Sequence, residues 1–413
     1  MTRTHLALAA ALVIVPATIH ADVVLQWNTV METAVAGQNP FAQGRFAAIA
    51  QLAVFEAVNT ITGDYEPYLG TIEAPAGASV EAAAIAAAHR VLKTYFPTNA
   101  MLDAARESSL AAIHDSQAKL DGIATGEAAA AAMIALRAVD GSTPPQFHSP
   151  SSSDAGEWQP TIGCPPAGGV LLHWRNVTPF GIDSSALFRS APPPALTSAA
   201  YAKAYAEVQQ VGAAGSVMRP ADRADVARFY NVSLAVSTWN QAVRQVAEAK
   251  GTSLSENARA LALLNMAISD GLVAVMETKY HYRFWRPETA IVLGDTDGNE
   301  QTHADPGFVP FIPTPCFPSY PSAHATASYA AKEIARRAFG AGGHAILLLH
   351  PAVPDIALNY TAFNAIARDI DDARVYGGIH FRFEQDAGAV QGKEIGEYIY
   401  KNTLRPRTGL RGE

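Results

Sequence analysis

Apolar residues recur every three or four positions through most of the chain, and that period limits what it can fold into. The period runs through Phe46 to Thr60, Val80 to Tyr95, Met101 to Ile113 and Ile123 to Val139, alanine-rich segments separated by turns carrying Gly, Pro, Asn or Asp. It resumes over Ser198 to Val211, Arg223 to Ala249, Ser255 to about Phe284, Ala325 to Phe339, Tyr360 to Asp372 and Glu384 to Tyr400. Strand signals are weak throughout, so the expected class is all-α, built of helical bundles. The helix near residue 255 starts with Ser253 and Glu256 in capping-box spacing and stops before Pro287.

Residues 141–197 break the pattern, accumulating Pro, Ser and Gly with no sustained period. Irregular stretches of that length inside compact proteins are usually functional or disordered. Trp158, Trp174 and Phe180 favour an ordered loop wrapped on the protein. The chain thus divides into an N-terminal helical region, 22–197, that includes this loop, a C-terminal helical domain, 198–405, and a tail, 406–413.

With 49% hydrophobic and 16% charged residues in 413, the chain can bury a large core. Its formal net charge of -8 leaves no general basic footprint for nucleic acid or acidic lipid, so any anion must be held by a local cluster of cations. The first 21 residues, with an apolar run from Leu6 to Ile19 and a small residue at Ala21, have the layout of a secretory signal peptide. Export to the periplasm or medium is therefore expected, and no later segment is an uninterrupted apolar run of spanning length. Cys164 and Cys316 would be free to pair in an oxidising compartment, and two free thiols fit the sequence equally well. Neither a Cys-x-x-Cys nor a His-Glu-x-x-His pattern occurs, which removes the familiar zinc arrangements.

Three clusters in the last third of the chain carry chemistry. "KYHYRFWRP" places Lys279 and Arg286 seven residues apart. On a continuous helix that spacing puts both on one face, about 10 Å apart along the axis. "PSAH" places Ser322 and His324 at the mouth of a helix, where free backbone N–H groups and the positive dipole end favour an anion. Alone, that stretch reads as a capped helix with an incidental histidine. "RVYGGIHFRFE" supplies Arg374, a bend at two glycines, His380, and Glu384 one turn further on. Glu384 is spaced to accept the Nδ1 proton of His380, leaving Nε2 as a lone-pair donor for a metal or an electrophilic phosphorus.

Lys-x6-Arg-Pro, Pro-Ser-x-His and Arg-x5-His in this order resemble the vanadium-dependent haloperoxidase and type 2 phosphatidic acid phosphatase superfamily. The stretches "DVVLQWN", "RFAAIAQLAVFEAVN", "NVTPF" and "FPSYPSAHAT" extend the resemblance to the haloperoxidase branch, over most of residues 22–405. It implies vanadate as cofactor, with hydrogen peroxide, a halide and an organic acceptor as reaction partners. By the same resemblance Lys279, Arg286, Arg374, the Ser322 hydroxyl and the Ala323 backbone N–H hold the oxyanion. His380 ligates vanadium, His324 is the acid or base, Lys279 also polarises peroxide, and Glu384 supports His380. An associated halide pocket falls at Phe317 and Met276, where this chain keeps one aromatic of the chloride-using form and lacks the other. Bromide is the expected halide ahead of chloride.

Ala323 stands where the superfamily has glycine, Ala373 replaces the serine before the arginine, and Glu384 replaces aspartate. None of these removes a cation or the proposed ligand. Two rival functions use the same residues: an acid phosphatase in which His380 is the nucleophile and His324 protonates the leaving alcohol, and a protein that binds an oxyanion without turnover.

Overall fold

Most helices begin where a short polar side chain can take up the free N–H groups of the first turn. In the computed structural model, which describes residues 22–407, Asn39 accepts from the N–H groups of Phe41 and Ala42, each at 3.1 Å, and Pro40 follows at the first helical position. Ser79, Ser116 and Ser198 cap later helices in the same way, and Ser253 and Glu256 form the expected capping box. Thirteen α-helices result among the described residues: α1 (Val23–Val35), α2 (Pro40–Thr62), α3 (Val80–Tyr95), α4 (Ala100–Ala111), α5 (Gln117–Leu136), α6 (Ala199–Val211), α7 (Ala221–Val232), α8 (Ala235–Lys250), α9 (Leu254–Tyr282), α10 (Pro287–Val292), α11 (Ala323–Phe339), α12 (Phe363–Tyr376) and α13 (Arg382–Asn402). Of these, α7, α8, α10, α12 and α13 start without such a side-chain cap. One antiparallel hairpin, β1 (Gly342–Leu349) with β2 (Ala357–Ala362), pairs Ile346 with Tyr360. The proposed signal peptide lies outside the described residues.

Helix α9 is the axis of the core. It packs against α2 on one side and α11 on another, and its side chains share one apolar cluster with those of α1, α2, α3, α8 and α12. It is long and apolar enough to cross a membrane, yet its most apolar stretch is wholly buried within the protein. Helices α11 and α13 approach closely, and there Gly388, Gly392 and Gly396 recur every fourth residue along one face. A Cβ at Gly388 would lie 2.8 Å from the Ser322 carbonyl and one at Gly396 2.6 Å from that of Ala330, while at Gly392 it would overlap the Thr326 carbonyl. Only glycine lets these two backbones approach so closely.

The irregular segment 141–197 is ordered by what it is tied to. The buried carboxylate of Asp270 on α9 accepts the N–H groups of Phe180, Gly181 and Ile182 at 2.7, 2.6 and 3.1 Å. Burial pushes that carboxyl up to about 6, against the pull of the three N–H donors. Trp158 N–H donates to the Arg283 carbonyl at 2.7 Å, and Arg189 pairs with the buried Glu277. Cys164 and Cys316 are joined in a disulfide, with Cα atoms 5.4 Å apart.

Four local expectations differ from the structure. The helix expected over Arg223 to Ala249 is two helices, α7 and α8, because Ser233 is extended and its hydroxyl lies 2.8 Å from that of Thr238. The segment from Tyr360 begins as strand β2, as its Tyr360 and Thr361 favour, before turning into α12. Helices α1 and α10 lie outside the expected segments. Finally, Lys279 and Arg286 do not share a helix: α9 ends at Tyr282, Arg283 takes a left-handed φ of 49°, and Arg286 is the N-cap of α10.

Candidate active site

The chain reversal at Arg283 still brings Lys279 and Arg286 together, because both cations turn inward over one aromatic ring. Lys279 Nζ lies 5.3 Å and the Arg286 guanidinium 5.1 Å from the centre of Phe317. Backbone carbonyls of the segment before α11 orient them. Lys279 donates to the carbonyls of Pro318 at 2.9 Å and Ser319 at 2.6 Å. Arg286 Nε donates to that of Phe317 at 2.9 Å.

Ser322 caps α11, its Oγ accepting the Ala325 N–H at 3.3 Å, so Ala323 and His324 sit in the first turn. Arg374, near the end of α12, donates from Nη1 to His324 Nε2 at 2.9 Å and to the Tyr230 carbonyl at 3.1 Å. Beyond it the chain bends at Gly377 and Gly378. Gly378 has a φ of 81° and packs so tightly on the Gly212 carbonyl that a side chain would collide with it.

That bend delivers His380 to the same place. Its Nε2 accepts from Arg286 Nη1 at 3.1 Å, and its Nδ1 donates to Glu384 Oε2 at 2.6 Å. The same carboxylate oxygen accepts from the Ser319 hydroxyl at 2.8 Å and the Phe381 N–H at 3.0 Å. Glu384 therefore fixes the proton of His380 on Nδ1 and leaves Nε2 as the nitrogen that carries the lone pair, here taken up by Arg286.

Lys279, Arg286, Arg374, His380 and Glu384 are all buried, with Glu384 the one carboxylate in hydrogen-bond contact with the group. Arg286 Nη2 and both Nε and Nη2 of Arg374 are buried without a partner. Orphaned cationic donors of this kind are costly in a protein interior unless an anion takes them up. Desolvation first, and the Arg286 charge second, hold Lys279 well below the ordinary lysine range. Burial lowers Arg286 to about 10, and burial with the Arg286 charge lowers Arg374 to about 9. His324 and His380 are likewise pushed well below the usual histidine range by burial and then by the surrounding cations. Burial raises Glu384 to about 7, with Lys279 and Arg286 opposing it. A tetrahedral oxyanion is the ligand that this donor set fits: it would pair the orphaned N–H groups and offset the crowded positive charge.

Above the site opens a cavity whose floor includes His324, Arg374 and His380. Phe317 lines it, whereas Met276 is buried in the core and does not. His281 is exposed, away from this cluster. Ser319, to which the sequence assigns no role, bridges to Glu384; its only signal was its place inside "FPSYPSAHAT". Leu234, at the break between α7 and α8, also reaches the cavity, where a continuous helix had been expected.

Residues 259–409 match the VCPO second helical-bundle domain, the part of the chain that supplies every charged group of the site. The described residues share the fold of solved bacterial vanadium-dependent haloperoxidases. It superposes on a bacterial vanadium-dependent iodoperoxidase with a TM-score of 0.78 at 23% identity, covering 94% of this chain and 97% of that one. A bacterial vanadium-dependent chloroperoxidase in its holo form gives 0.71 at 18% identity, covering 89% of this chain and 94% of the other. The apo form of a bacterial chloroperoxidase gives 0.72 at 17%, over 89% and 95%. No sequence among the curated proteins matches the chain.

Proposed function

We propose that the protein is a vanadium-dependent haloperoxidase that oxidises bromide, in preference to chloride, with hydrogen peroxide and passes the halogen to an organic acceptor. The observation that carries this reading is the convergence of three buried cations, Arg286 and Arg374 with unpaired donors, on a histidine whose proton a carboxylate holds on Nδ1 so that Nε2 carries the lone pair. Lys279, Arg286, Arg374, Ser322 and the first N–H groups of α11 would hold vanadate, with His380 Nε2 as the protein ligand. Bound there, vanadate supplies a Lewis acid that makes peroxide oxygen electrophilic toward halide.

The side chains supply the rest. Glu384 holds the Nδ1 proton of His380 and so keeps its electron pair aimed into the site. His324, held toward its neutral form by burial and the cations around it, would give up its Nε2 hydrogen bond from Arg374, accept a proton of incoming peroxide there and return it to the leaving oxygen. Lys279, fixed by two carbonyls, would in its ammonium form have one N–H left to polarise a bound peroxide. Bromide is the easier of the two halides to oxidise, and the cavity lacks Met276 as a second wall beside Phe317. Iodide, the halide of one structural neighbour, is easier still and makes a sensitive assay substrate. The apolar leader and the Cys164–Cys316 disulfide support export to an oxidising compartment.

The test is bromination of a cyclic diketone by purified protein with peroxide and bromide, with and without vanadate, beside hydrolysis of an aryl phosphate. Vanadate-dependent bromination is expected. Phosphate release without bromination would instead make the pocket a phosphatase, with His380 as nucleophile. Neither activity would leave an oxyanion binder.

A further inference from the structure

We propose that the cavity above the anion site binds the organic acceptor, and that this acceptor is a neutral, apolar, electron-rich aromatic of one or two rings. The proposal rests on the haloperoxidase reading of the site beneath it.

The cavity encloses about 260 Å³, and its walls are Phe41, Leu171, Leu234, Leu272, Phe317 and Ile379. Among the described residues no carboxylate lines it, Arg374 is its one lining guanidinium or ammonium group, and Asn231 is its one lining amide. An apolar cavity of about 150 Å³ already takes up benzene, so this one has room for a ring and a substituent or for two fused rings. With Arg374, His324 and His380 engaged by the bound oxyanion, a sugar, a carboxylate or a phosphate ester would find only Asn231 as a side-chain partner among the remaining lining residues. The walls come from separate parts of the fold: the start of α2, the irregular segment, the break before α8, the middle of α9, and the stretches before α11 and α13. One of them is held at a conformational cost, since Leu171 adopts a left-handed φ of 63°.

Because the floor is the anion site, a ring in this cavity lies next to the place where the halide is oxidised. Halide is oxidised by two electrons and peroxide is reduced to water. The ring carbon then forms its bond to halogen and gives up a proton, so that ArH, halide, peroxide and one proton yield ArX and two waters. A hypohalous species formed there meets the bound ring before it escapes, which gives the bound acceptor an advantage over acceptors in bulk water.

The test is a competition in one vessel. The holoenzyme, bromide and peroxide are given 2-naphthol together with a sulfonated phenol, and the ratio of brominated products is compared with that from reagent hypobromous acid. The enzyme should favour 2-naphthol over the reagent ratio by about tenfold or more. Leu234→Ala should return the ratio toward the reagent value and Leu234→Met should preserve the preference, while triiodide formation from iodide, which needs no acceptor, stays unchanged in both. If Leu234→Ala does not fold by circular dichroism, Leu171→Ala carries the same comparison. A wild-type product ratio equal to the reagent ratio, or a preference untouched by the cavity variant, would overturn the acceptor site and leave the peroxidase standing. Absence of triiodide formation in the wild type would overturn the reading beneath it.

Discussion

His380 is held from both ends, by Glu384 at Nδ1 and by Arg286 at Nε2. Replacing it with alanine should abolish vanadate binding and halide oxidation while leaving the circular dichroism spectrum intact; retained activity under saturating vanadate would remove it as the ligand. Glu384→Gln should cost about 10–100-fold in vanadate affinity or turnover, because the amide can turn its N–H toward Nδ1 and invert the histidine's proton pattern. The titration of the site gives an independent check. Burial and like charge push Lys279, His324 and His380 toward their neutral forms. A bound oxyanion favours the protonated forms of Lys279 and His324, so binding takes up protons at these two groups and affinity falls as pH rises. Calorimetric titration with a non-redox oxyanion that does not itself titrate near neutrality, such as sulfate, in buffers of different ionisation enthalpy, measures that uptake; proton release on binding would contradict it.

At the scale of elements, the site depends on how close α11 lies to α13. Helix α11 carries Ser322 and His324, α13 carries Glu384, and the Gly388, Gly392 and Gly396 ladder sets their separation. Gly392→Ala should destabilise the protein by about 1–3 kcal/mol through overpacking and weaken oxyanion binding at the same time. Urea unfolding and equilibrium dialysis on the same variant read the two effects, and unchanged values for both would show that the helices tolerate the methyl group. Much at this scale was legible in the chain. Capping residues and apolar periodicity located most helices, and the pairing of His380 with Glu384 followed from their spacing. What periodicity misled about was continuity. Lys279 and Arg286 sit seven apart as if on one helix face, yet Arg283 reverses the chain between them and burial against Phe317 brings them together. Ser233 splits an apparently unbroken helix by hydrogen bonding its own neighbourhood, and that break places Leu234 on the cavity. The glycine ladder was not read from the chain, because the contact that gives it meaning is tertiary.

Across the whole molecule, the irregular segment joins the N-terminal helices to the site. Asp270 fastens it to α9, and the disulfide ties Cys164 to Cys316, which directly precedes Phe317. The sequence left the state of these thiols open because pairing depends on geometry that only the folded chain provides. A Cys164→Ser, Cys316→Ser double variant should lose about 2–5 kcal/mol of stability, since the bond closes a long loop in the unfolded chain. Thermal unfolding with and without reductant would show the same difference, and an unaltered midpoint would mean the segment is held by its other contacts alone. The central claim, that the three cations and His380 form a vanadate-dependent peroxidase, is tested most directly by stripping the protein of oxyanions and titrating vanadate back while following iodide oxidation by peroxide. Activity should be absent at the start, rise to saturation near one equivalent, and be suppressed by added phosphate; oxidation that ignores vanadate, or never appears, would contradict the account.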